Sequence, residues 1–168
     1  PVSRRTGTNG LFEVIGMLQG LDIPAVAWER DILPGRLDKY QLEWLDELCL
    51  TGEVGWGRLF PPTNRDPEKS RPMASLTRVV PMSLFLRSDL DWLQSSAISP
   101  GAGDLSSPAR EVFDLLQHHG ALFATDLLNH TRMLPTQLNE TLGELISRGL
   151  VTADGFSGRG ALMTRNSI

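Results

Sequence analysis

Residues 134–156 read LPTQLNETLGELISRGLVTADGF. Within them Leu138, Leu142, Leu145 and Ile146 recur at the 3.6-residue period of a helix that buries one stripe. Thr136 is the expected cap, the helix runs to Gly149, and LVTADGF follows at once as a short strand. A helix that turns directly into a strand constrains the chain severely, because its apolar stripe must be buried against other elements. The stretch has the grammar of the third helix and first wing strand of a helix-turn-helix element.

The preceding residues supply the missing helices. SSPAREVFDLLQHHG offers a serine cap, Pro108 in the first turn and apolar positions at 109, 112, 113, 115 and 116 before Gly120. ALF is expected as a short strand and ATDLLNHTRM as helix two, while ALMT returns as the second wing strand beyond SGRG. The first half has the same outline. LFEVIGMLQGL is a helix ending at Gly20, and a second starts at Pro24 and runs through AVAWERDIL until Pro34 and Gly35 stop it. YQLEWLDELCLTG is the third, EVGWGRLF a strand, and TRVVPMSLFL its return, with Pro81 hinting at an edge or a bulge. RSDLDWL closes the unit as a short helix. The expected fold is mainly α with small β wings, an α+β arrangement of two tandem winged-helix units. Residues 1–93 form the first unit with its leading helix, 94–107 a Ser/Gly/Ala/Pro-rich linker, and 108–168 the second. No fixed-period repeat is visible, so the duplication is one of outline.

The chain has 168 residues, 40% hydrophobic and 21% charged, enough for one sizeable core or two small ones. Its apolar runs are broken well short of the roughly 20 residues that span a bilayer, no signal-peptide pattern opens it, and a soluble, cytoplasmic, nucleoid-associated protein without membrane contact is expected. Cys49 has no internal partner for a disulfide. Because the chain begins at Pro1, it reads as an excerpt from a longer protein.

Net charge is −4, but its distribution is uneven. Residues 36–53 carry two bases and five acids, whereas residues 58–78 carry Arg58, Arg65, Lys69, Arg71 and Arg78 against Asp66 and Glu68. The second wing holds Arg159 and Arg165 with no acid from Gly155 onward. The third helices have the opposite sign: Glu140 and Glu144 against Arg148 in one, Glu43, Asp46 and Glu47 in the other. Phosphate neutralisation dominates nucleic-acid affinity. The seven wing bases are therefore the expected DNA contacts, and the third helices are expected to be packing surface or weak contacts. Trp28 and Trp44 are further candidates for stacking on an unpaired base, against the commoner role of packing.

Catalytic signals are thin. His118, His119 and His130 lack the cysteine or carboxylate spacing of a metal set. Ser106, Ser107 and Asp104 have no histidine that spacing places beside them. Neither GTNG nor GFSGRG ends in the Gly-Lys-Ser/Thr of a phosphate loop, so the chain is not expected to hydrolyse ATP.

Two long stretches carry a family resemblance. WERDILPGRLDKYQLEWLDELCLTGEVGWGRL resembles the Trp-x-Arg-x-x-Leu…Leu-Asp-x-Leu-x-x-x-Gly-Glu-Val-x-Trp pattern in the C-terminal region of bacterial large helicase-related (Lhr) proteins. GALFATDLLNHTRMLPTQLNETLGELISRGLVTADGFSG is similar to a later pattern of the same region. The resemblance implies a parent superfamily 2 helicase that translocates 3′-to-5′ on single-stranded DNA and uses ATP and magnesium in its absent N-terminal core. It further implies an extension similar to winged-helix DNA glycosylases, with a repair role. Single-stranded or duplex DNA and other domains of the parent are the implied partners. The Gln-x-Gln motif of those glycosylases is missing, so no catalytic residue is carried over. GRGALM stands where Gly-Leu-Arg-Ala-Leu is expected, which leaves Arg159 and the last strand outside the resemblance. Three roles stay open: a DNA-positioning segment, a scaffold within the parent, and part of a glycosylase-like module.

Overall fold

The computed structural model describes residues 5–61, 80–96, 105–156 and 162–165. α1 (Gly7–Leu18) is followed by β1 (Ile23–Pro24) and then by a helix in three pieces: α2 (Ala25–Ala27), a π-helical turn (Trp28–Ile32) and α3 (Leu33–Arg36). The sequence predicts a stop at Pro34 and Gly35, yet the helix continues to Arg36. A proline ring would collide with the carbonyl four residues back in a regular helix. The wider π turn, in which Leu33 N–H reaches Trp28 O, makes room just before Pro34.

Trp28 pins this turn down. Its ring is 0% exposed, and its indole N–H donates to Met82 O at 2.8 Å. A fully buried ring with its one donor satisfied has no face left for a base, so Trp28 is core and not a stacking platform.

α4 (Leu42–Leu50) leads into β2 (Val54–Gly57), which pairs antiparallel with β3 (Pro81–Leu86) in the register Val54↔Leu86 to Gly57↔Ser83. β3 also pairs with β1, so the sheet order is β1-β3-β2. Pro81 therefore lies on the central strand, and no bulge accommodates it. It is the first residue of that strand and faces Pro24, a position where the ladder loses little by lacking its N–H. A 3-10 turn (Arg87–Asp89) and α5 (Leu90–Ser96) complete this half.

The other half runs α6 (Ser107–His119), β4 (Ala121–Phe123), α7 (Ala124–Thr131), α8 (Pro135–Ser147), β5 (Val151–Ala153) and β6 (Leu162–Arg165), with strand order β4-β6-β5. Ser106 caps α6 by accepting from Ala109 N–H. α8 is capped differently from expectation: Leu134 is the cap residue, Pro135 opens the helix, and Thr136 lies inside the first turn. Proline's preset φ is suited to the first helical position, and its missing N–H would have been unpaired there anyway.

Both halves leave their third helix by one device. Thr51, Gly52 and Glu53 donate to Glu47 O, Cys49 O and Leu48 O, while Arg148, Gly149 and Leu150 donate to Glu144 O, Ile146 O and Leu145 O. Gly52 and Gly149 supply the left-handed residue, with φ of 79° and 72°. This turn satisfies otherwise orphaned helix carbonyls and aims the chain straight into a strand.

One apolar core joins the halves, running from Leu11, Trp28, Leu45 and Leu84 to Leu116, Leu127, Leu142 and Val151. A smaller cluster of Leu59, Phe85 and Leu93 lies beside it. Among the described residues no helix is long and apolar enough to cross a membrane.

Cys49 lies buried in the main core, and burial, reinforced by Asp46, pushes its thiol up to about 12. The thiolate is the reactive species, so the folded protein should label with a thiol-specific reagent at pH 8 at least tenfold more slowly than the urea-unfolded chain. The unfolded chain releases this proton near 9.0 and the folded chain holds it to about 12, so the thiol's contribution to stability is complete below pH 9 and lost as pH rises toward 12.

Candidate nucleic-acid interface

The described surface of α8 is confined to one end. Leu138, Thr141, Leu142, Gly143, Leu145 and Ile146 are buried, so only the first turns, with Thr136, Gln137, Asn139 and Glu140, face outward. Just before them Arg132 takes up a left-handed conformation with φ of 55°, exposed, and Leu134 is 69% exposed. In helix-turn-helix proteins the N-terminal residues of the third helix are those that approach base edges. Here that end carries amides, a hydroxyl, one carboxylate and one neighbouring guanidinium. Nothing in the composition of the helix marks Arg132, whose exposure depends on the turn between α7 and α8.

Glu144 does not belong to that surface. Its carboxylate accepts from Ser106 N–H at 3.0 Å and from Ser106 O–H at 2.6 Å, and it lies 3.6 Å from Arg148. With 12% of its side chain exposed, it fastens α8 to the start of α6. The outward end of α8 thus carries a single acid, Glu140, rather than the pair counted along the sequence.

α4 differs. Glu43 and Glu47 are exposed together with Leu42 and Leu50, while Asp46 accepts from Phe156 N–H at 3.0 Å. Tyr40 stacks edge-on against the half-buried Trp44 with ring centroids 6.1 Å apart. Burial first, and then the carboxylates of Glu29 and Asp46, push the Tyr40 phenol above its ordinary range. An anionic strand would meet like charge on this face.

Of the seven wing bases, Arg58 is the one whose side chain the structure describes. It turns inward: 18% exposed, it donates to Ser147 O at 2.9 Å and stands 4.0 Å from Asp22. Burial lowers its guanidinium's pKa and Asp22 partly restores it. Arg65, Lys69, Arg71, Arg78 and Arg159 lie outside the described residues, and of Arg165 only the backbone, at the end of β6, is described. The segment that carries four of them nevertheless connects β2 and β3, which are paired antiparallel neighbours.

The histidines form no metal set. His119 and His130 stack with centroids 5.4 Å apart, His118 Nδ1 is 2.7 Å from Asp114 O, and no group of three potential ligands occurs among the described residues.

Residues 1–71 match the family model of the large helicase-related protein, winged-helix domain. An "Lhr helicase/ probable uracil glycosylase" of Mycolicibacterium smegmatis is 31% identical over 154 residues, which is 90% of this chain and 9% of that protein. An "Lhr helicase/uracil glycosylase" of Escherichia coli strain K12 is 29% identical over 167 residues, 96% of this chain and 10% of that protein. The chain spans about a tenth of the length of these curated relatives.

Replacing Glu144 with alanine removes the acceptor of two Ser106 donors, which are exposed and return to water, and a partner of Arg148. Glu144→Ala should lower unfolding free energy by about 0.5–1.5 kcal/mol in a urea titration, without strengthening DNA binding, since the charge it removes is already turned inward.

Proposed function

We propose that this chain, which belongs to the large helicase-related family and corresponds to its C-terminal region, is a pair of tandem winged-helix units that holds and positions DNA for a longer helicase. In this reading residues 1–93 and 108–168 are the two units and 94–107 joins them. The support is the recurrence of one plan: equivalent strand orders, and the same glycine turn from third helix into strand. The bound DNA, single-stranded or duplex, follows the wings, and unwinding and repair belong to the whole protein.

The observation that carries this reading is the position of the basic segment. Residues 58–78 hold five bases against two acids and connect two adjacent antiparallel strands, where a wing belongs. Loops carried by a rigid scaffold are the usual place for binding residues. Arg65, Lys69, Arg71 and Arg78 are the proposed phosphate contacts of this wing, with Arg159 and Arg165 on the second. Arg58 has an internal role beside any external one. ATP and magnesium belong to the helicase core of the longer protein, because this sequence has no phosphate loop to hold them.

One feature favours a second role as a scaffold. The outer face of α4 combines Leu42 and Leu50 with Glu43 and Glu47, a surface suited to a protein partner and unsuited to phosphate. A glycosylase contribution, implied by the resemblance and echoed in the relatives' names, has no catalytic residue assigned in this sequence, which lacks the Gln-x-Gln motif.

Fluorescence anisotropy with single-stranded and duplex DNA across a salt series tests the primary role. Arg65, Lys69 and Arg71 changed together to alanine should weaken binding and flatten the slope of log K against log salt, by about 0.7–0.9 per lost phosphate contact. An unchanged slope removes the first wing from the interface, and no binding by the parent fragment at low salt leaves the scaffold role.

A further inference from the structure

We infer that each half of the molecule holds the other half's third helix, so that the two halves open as one cooperative body. The contacts are reciprocal. Arg58, immediately after β2, donates to Ser147 O at 2.9 Å, one of the last carbonyls of α8. Phe156, three residues after β5, donates its N–H to Asp46 on α4 at 3.0 Å. The residues that begin each strand connection are thus anchored on the opposite half.

The first anchor is itself braced. Asp22, 4.0 Å from Arg58 Nε, accepts from Ser83 O–H at 2.8 Å and from Phe60 N–H at 3.2 Å. Arg58 Nε is buried and makes no hydrogen bond, so the guanidinium is oriented by Ser147 O and not by a saturated bond to Asp22. A cation at that point also suits the negative end of the α8 dipole. Gly149 completes the fit: a Cβ there would lie 2.5 Å from Arg58 O, on a residue whose φ is already 72°.

Between the anchors, Trp56 ties β2 to β5. Its carbonyl accepts from Thr152 O–H, its indole N–H donates to Gly155 O at 3.2 Å, and its ring meets Phe156 edge-on at 6.0 Å. A relative movement of the halves would break all of these together, leaving buried donors and acceptors without partners. Arg58 and Asp46 are therefore positioning residues for the half they do not belong to. That DNA on one wing would be felt by the far helix rests on the proposed DNA-holding role; the mechanical coupling does not.

Hydrogen exchange on the 168-residue chain, without DNA, tests the coupling. Arg58→Ala and Asp46→Ala should each speed exchange about tenfold at both glycine turns, Thr51–Glu53 and Arg148–Leu150, including the turn in the half that was not altered. Arg58→Lys, which keeps the charge and one donor, should fall between wild type and Arg58→Ala, and it decides the matter if the alanine variant does not fold. The inference is overturned if each substitution speeds exchange in one half alone, or if Arg58→Ala or Arg58→Lys leaves Arg148–Leu150 unchanged. DNA binding in the salt series is a separate readout, so loss of the DNA-holding role would leave this result standing.

Discussion

Trp56 sits where the two sheets meet, and the packing of both halves depends on how it is satisfied. β2 and β5 are edge strands of their respective three-stranded sheets, and an exposed edge carries unpaired polar groups that invite wrong pairing. At the seam Trp56 O accepts from Thr152 O–H, so the two edges are joined through side chains and not by a continued ladder. All four residues of β2 are buried. A large ring at the seam supplies apolar area, and its single N–H finds Gly155 O, so no donor is lost in exchange for burial.

The seam also redistributes charge. Acids that look available in the sequence are used inside the protein: Glu144 binds Ser106 and Arg148, Asp22 braces Arg58 and Ser83, and Asp46 receives Phe156 N–H. What remains outside differs between the third helices. α8 presents a short, nearly neutral polar end, while α4 presents two exposed glutamates among leucines. The chain's net charge of −4 therefore says little about any one face. The proposed DNA-holding role assigns phosphate to the wings, and the proposed scaffold role assigns a protein partner to α4.

Much of the fold was legible. The leucine period located α8, the glycine stops located both exits into strands, and Ser106 with Pro108 marked the start of α6. Where local rules were misleading, a neighbour had outweighed them. Pro34 did not end its helix because a π turn absorbed the clash, and Thr136 did not cap because Pro135 already opened the helix. Trp28, a stacking candidate set against the commoner role of packing, is held in the core by a carbonyl that only β3 supplies.

By itself, the sequence determined most of the helices, the paired strands of each wing, the family and the concentration of basic residues between β2 and β3, because periodicity, turn residues and composition act over a few neighbours; β1 and the π turn escaped it, since β1 exists only by pairing with the distant β3. Only the tertiary structure decided which charges face outward. The partners of Arg58, Glu144 and Asp46 lie 89, 38 and 110 residues away along the chain. No local pattern encodes a contact at such separations; it exists only once two edge strands have been brought together over a common core.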